Sequence, residues 1–137
     1  MNQELHEAYR QTTFCADTPR GRLALRIDQC DAQLDRLLMD NACESWAYLT
    51  AYNPGSVVLS PEENQHRQSA LENELHKGGW VFFAGEGVGG SGNWPPELSV
   101  LVLGIDEATA QQLGRAFGQN AVVVGRLGRP AELVILN

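Results

Sequence analysis

Leu23, Leu25 and Ile27 alternate with Arg22, Ala24 and Arg26, a period of two that sends successive side chains to opposite faces and predicts a strand over Arg22 to Ile27. Thr12 to Ala16 reads as its neighbour, with Thr18-Pro19-Arg20-Gly21 as the turn between them. Upstream, Asn2 is placed to cap a short helix carrying Leu5, Ala8 and Tyr9 on one side. Downstream the period changes: Leu34, Leu37, Leu38 and Asn41 fall at helical spacing, capped by Asp28 or Asp31 and running to about Ala42. Ser45 to Ala51 is a mostly apolar run of strand length, closed by the turn-forming Asn53-Pro54-Gly55.

Ser60-Pro61-Glu62-Glu63 is the clearest helix start. The serine can accept from a free amide, the proline is preset for the first helical position, and Glu63 completes a capping box. This helix is predicted to about Lys77, with His76 and Lys77 at the negative end of its dipole and Gly78 as its stop. Trp80 to Ala84 and Leu98 to Gly104 read as strands. An Asp106-capped helix follows, with Ala110, Leu113 and Phe117 on one face and Gly118 at its end. Ala121 to Val124 and Ala131 to Ile135 form a hairpin around Gly125 to Pro130. Paired strands between helices predict an α+β fold: one two-layer domain over 1–137, its helices packed on a mixed or mostly antiparallel sheet.

The chain has 137 residues, enough to build one core without staples. A formal charge of -7 and a pI near 4.8 oppose binding to nucleic-acid phosphates or anionic membranes. The opening Met1-Asn2-Gln3-Glu4 lacks the basic start of an export signal, and Leu98 to Ile105 is too short to span a bilayer, so a cytoplasmic protein is expected. Cys15, Cys30 and Cys43 are far apart, as are His6, His66 and His76. Mostly buried free thiols and exposed helix histidines are therefore expected, with no metal site.

Gly85-Glu86-Gly87-Val88-Gly89-Gly90 matches the G-x-G-x-x-G spacing of dinucleotide sites. That fingerprint must open a helix whose amino end meets the pyrophosphate, and here a proline-broken stretch and a strand follow. The glycines read instead as a mobile loop, and no cofactor is expected. Neither a G-x-S-x-G nucleophile elbow nor a G-x-x-x-x-G-K-[ST] phosphate loop occurs. Trp46, Trp80 and Trp94 read as packing residues, although Trp94 lies in a Gly/Pro-rich stretch able to cover a pocket. Tyr9, Arg126 and Arg129 suggest recognition, with the arginines at a hairpin tip where solvated charge is common.

Thr50-Ala51-Tyr52-Asn53-Pro54, then Ser60, Asn64, Arg67 and Leu71, then Trp94 and Glu97, and finally Phe117-Gly118-Gln119-Asn120-Ala121 resemble a bacterial family of small proteins, domain of unknown function 3293. The resemblance extends from Tyr9 to Val134. It departs from the family pattern at Trp94-Pro95-Pro96-Glu97, where the tryptophan and the acid stand closer together in the family. It implies one compact cytoplasmic domain and brings no activity.

The same residues have a physical reading of their own. Leu71 and Leu75 mark the core side of the Ser60 helix, and counting back by seven and four places Asn64, and roughly Arg67, above that stripe. Asn53, Asn64, Arg67, Trp94, Glu97 and Gln119 are the candidate ligand-binding set, converging on a cleft by the Asn53 loop and the Ser60 helix start. The competing reading is a hydrogen-bonded network that only holds loops, with Arg67 paired to Glu97. Three function classes follow. One is a domain binding a small polar or anionic ligand. Another is an enzyme with Glu97 as general acid or base and Arg67 as charge stabiliser. The third is an acidic inhibitor or immunity-like protein for a basic protein partner. Oligomeric state is left open.

Overall fold

The computed structural model describes residues 3–90 and 95–136, apart from the side chain of Leu5. The Asn2 cap and Trp94 lie outside the described residues. Helix α1 (Gln3–Gln11) leads into the hairpin β1 (Thr13–Thr18) and β2 (Gly21–Leu25), then α2 (Ala32–Asp40) and β3 (Ser45–Leu49). A 3-10 turn (Pro54–Ser56) precedes α3 (Pro61–Gly78) and the hairpin β4 (Val81–Val88) and β5 (Glu97–Leu103). Helix α4 (Glu107–Ala116), β6 (Ala121–Arg126) and β7 (Glu132–Ile135) complete the order.

The strands form a seven-stranded sheet in the order β2-β1-β4-β5-β3-β6-β7. Every pairing of named strands is antiparallel, so of the two sheet types expected the mostly antiparallel one is present. The sheet is also curled. Ile27, just past β2, makes a parallel bridge to Ala131, just before β7. The Asp28 N–H donates to the Ala131 carbonyl at 2.8 Å and the Ala131 N–H to Gln29 at 3.1 Å. The two edges therefore touch at one corner, which covers backbone groups that an open edge would expose.

Strand alternation divides the core in two. Phe14, Trp46, Tyr48, Leu101, Leu103 and Val123 point to one face, where Leu34, Leu37 and Leu38 of α2 join them. Ala47, Leu49, Val100, Val102, Val122 and Val124 point to the other, against Leu71 and Leu75 of α3 and Ala110 of α4. Helices thus pack on both faces, and the single helical layer expected from the sequence is replaced by two. Helix α2 crosses one end of the curled sheet and is tied to both outer hairpins. Asp40 pairs with Arg20 at 2.7 Å beside the β1–β2 turn, and Asp35 accepts from the Gly128 N–H at 3.0 Å in the β6–β7 turn.

Local caps follow the sequence closely. Asp31, Ser60 and Asp106 accept from Leu34, Glu63 and Thr109, and the capping box at Ser60 is complete. Asp28, the other cap considered for α2, instead takes a left-handed φ of 68° beside the edge bridge. Helix α3 includes Gly78 and stops one residue later, at left-handed Gly79. A side chain at 78 would overlap the Trp80 ring, so Gly78 serves close packing and not termination.

The largest departure is the glycine run. Gly85 to Val88 is no loop: it continues β4, pairing with β1 on one side and β5 on the other. A Cβ on Gly85 would lie 1.8 Å from the Cys15 carbonyl oxygen, so glycine is required where β1 folds over β4. Cys15 is buried, Cys43 half-buried and Cys30 exposed, so the thiols are less uniformly internal than expected.

Candidate functional site

The site grows from Asn53, which has φ 45° and ψ 65°, a left-handed conformation that asparagine tolerates better than most residues. Its side chain and backbone join three elements. The Asn53 N–H donates to Asn64 Oδ1 at 2.9 Å, and Asn64 Nδ2 donates back to Asn53 Oδ1 at 2.8 Å. The Leu59 N–H donates to that same oxygen at 3.0 Å, which fixes the approach to α3. Asn53 Nδ2 then donates to Glu97 Oε2 at 2.9 Å, across to the start of β5.

Behind this loop, the α3 stripe 64, 68, 71, 75 is buried, with Asn64 and Gln68 forming its polar half. Gln68 Oε1 accepts from the Ala51 N–H at 2.9 Å, while its buried Nε2 has no partner among the described residues. Arg67 Nε donates to the Ala51 carbonyl at 2.9 Å and Nη2 to the Phe117 carbonyl, with the guanidinium 6.0 Å from the Phe117 ring centre. Among the described residues no Arg67–Glu97 ion pair occurs: the arginine ties two backbone segments together, and Glu97 is held by Asn53. Gln119 Nε2 donates to Tyr52 and Phe117 carbonyls at 3.1 and 3.2 Å, and the Gly55 N–H reaches the Gly118 carbonyl at 2.7 Å.

Of the six residues proposed from the sequence, Asn53, Glu97 and Gln119 line one cavity of about 350 Å³. Asn64 and Arg67 stand behind its wall, outside the described lining, and Trp94 falls outside the described residues. The cavity opens at the end of the curled sheet opposite α2. Phe14, Tyr48 and Val123 line its apolar side, Tyr9 and Gln11 of α1 border it, and Thr50, Ser99 and Asn120 add polar groups. Gly87, Gly89 and Gly90 contribute backbone only. Phe14 and Tyr48 meet edge to face at 5.2 Å.

The electrostatics follow from this enclosure. Burial, reinforced by the nearby Glu97 carboxylate, pushes the Tyr9 phenol up to about 12. Burial also raises Tyr48, whose hydroxyl donates to the Cys15 carbonyl at 2.6 Å. The start of α3 is occupied by its own caps: Ser60 Oγ accepts from Glu63 N–H at 3.1 Å, and Glu62 and Glu63 fill the first turn. The two carboxylates of the first turn therefore oppose the field that a helix start would otherwise offer an anion. Arg126 and Arg129 lie at the other end of the sheet, beside a smaller hollow of about 270 Å³.

Sequence reasoning missed Tyr48, Thr50, Ser99 and Gly87 as lining, and Gln68 as a loop anchor. Gln68 was legible, being four after Asn64 and three before Leu71. Thr50 and Ser99 were not, because their convergence depends on how far the sheet curls.

Fold and cavity together define a small α+β domain with a partly closed antiparallel sheet and a polar-rimmed hollow at one end. Residues 49–122 match the family described as Protein of unknown function (DUF3293), and the chain belongs to that family. The match includes the Asn53 loop, α3, Glu97 and Gln119 and leaves out Tyr9 and Phe14, so it is narrower than the Tyr9 to Val134 resemblance. No curated protein and no solved structure matches the chain. Among the described residues, no helix is long and apolar enough to cross a membrane.

Proposed function

We propose that the chain binds a small polar molecule in the cavity beside the Asn53 loop. The supporting observation is the cavity itself: about 350 Å³, within the size range of small-molecule sites, with an aromatic side and a few convergent polar groups. Its walls are strands and a cross-linked loop, which hold such groups more precisely than free loops do. Asn53 and Gln119 belong to this reading, and Asn64 and Arg67 serve it by fixing the loop. The anionic ligand foreseen from Arg67 loses its support, since both bonded guanidinium nitrogens go to carbonyls. An enzyme built on Glu97 and Arg67 loses its charge stabiliser for the same reason.

The test is a fragment panel of neutral, cationic and anionic compounds followed by amide NMR. Saturable shifts should centre on Tyr9, Thr50, Gly87 and Ser99 and vanish in Gly87→Leu, whose side chain is built into the hollow. The Gly87 Cβ position meets only Thr12 Cγ2 at 3.8 Å, so the backbone has room for this change. Shifts elsewhere, or unchanged shifts in the filled variant, would remove the cavity as the site.

A further inference from the structure

We infer that the ligand of this cavity carries a protonated amine, received by Glu97 and packed against the Phe14–Tyr48 pair. The inference rests on the cavity being the binding site. Among the described residues lining it, Glu97 is the one acidic side chain and there is no lysine, arginine or histidine. Its carboxylate is held in place, because Asn53 Nδ2 donates to Oε2 while Asn53 is itself locked by Asn64 and Leu59. Asn53 therefore acts as a positioning residue for the acid.

The neutral groups point to the same chemistry. Asn53 Oδ1 already accepts two hydrogen bonds, and Gln119 commits Nε2 to two carbonyls, which leaves its Oε1 as an acceptor. Carboxylate and amide oxygen together suit a ligand rich in N–H donors. Phe14 and Tyr48 give the cavity an aromatic side, and aromatic rings attract cations more than anions. A chain of formal charge -7 adds a long-range field that concentrates cations and repels anions.

The test uses three probes of similar shape, phenethylamine, 2-phenylethanol and 3-phenylpropionate, titrated calorimetrically at low ionic strength into the wild type, Glu97→Gln and Gly87→Leu. Glu97→Gln keeps an acceptor for Asn53 Nδ2 and removes the charge. Phenethylamine should bind at least about tenfold more tightly than 2-phenylethanol, with no detectable binding of 3-phenylpropionate. Glu97→Gln should erase that tenfold preference while remaining folded by its amide NMR spectrum, and Gly87→Leu should abolish binding. Equal affinity for amine and alcohol, or an amine preference surviving in Glu97→Gln, overturns the inference but leaves the cavity reading standing if Gly87→Leu still blocks binding. Absence of binding by all three probes, or binding that Gly87→Leu does not change, overturns both.

Discussion

The two ends of the curled sheet solve opposite problems with the same strands. At one end α2 lays Leu34, Leu37 and Leu38 into the face formed by Trp46 and Leu103, and these side chains are at most 4% exposed. At the other end the same face carries Thr12, Gly87, Ser99 and Glu97, residues too small or too polar to fill the space, and a hollow of about 350 Å³ remains. A continuous apolar face would have closed both ends. The hollow exists because side-chain volume is withdrawn locally while the backbone around it is tied down by Asn64, Arg67 and Gln68.

The sharpest way to break this contrast is Gly85→Ala. Its new Cβ would fall 1.8 Å from the Cys15 carbonyl, a backbone atom that cannot step aside, so a loss of about 4 kcal/mol or more is expected and soluble yield should collapse. Urea titration of whatever protein is recovered checks it, and a near-normal midpoint would mean that β1 does not fold over β4 as described. Hollowing the filled end comes next. Leu38 is fully buried, and Leu38→Ala should cost about 3 kcal/mol without altering ligand affinity, since no α2 residue is in the described lining.

Arg67→Ala tests the tie behind the cavity wall. Two charge-assisted bonds to carbonyls are lost from a half-buried residue, and about 2 kcal/mol of destabilisation is expected, read as a fall in melting temperature. If Arg67 were a ligand contact in an open cleft, stability would hold and affinity alone would fall. The smallest effect concerns pH. Tyr9 loses its proton near 10 in the unfolded chain and near 12 in the folded one. Between these values the unfolded state binds fewer protons, so stability present below pH 10 declines as pH rises towards 12. Tyr48, also raised, acts with the same sign. Tyr9→Phe should flatten this decline, measured by denaturant midpoints across that range, and an unchanged slope would remove Tyr9 from the buried rim.

Local chemistry made most elements legible in the sequence. Asp31, Ser60 and Asp106 each carry an oxygen that satisfies an amide within three residues, so the helix starts need no tertiary information. Long-range geometry was less accessible. Nothing near Thr13 says that β1 pairs with β4 more than sixty residues away, and that pairing makes a strand of Gly85 and Gly87. Asn53, Asn64 and Arg67 were found through helical spacing, yet spacing alone cannot tell a side chain that faces a hollow from one that grips a carbonyl behind it. The Arg67–Glu97 pairing failed there: charge complementarity suggested it, and the open carbonyls of Ala51 and Phe117 claimed the arginine first.

Gly85 and Gly87 occupy the same face of β4, two residues apart, with opposite freedoms. Position 85 admits no added atom, whereas a Cβ at position 87 would meet only Thr12 Cγ2, at an ordinary contact distance of 3.8 Å. The wall is thus a fixed hinge beside an adjustable aperture. Substitution at position 87 would rescale the hollow, methyl by methyl, while the curl that makes it stays unchanged, so its volume is adjustable without any redesign of the fold.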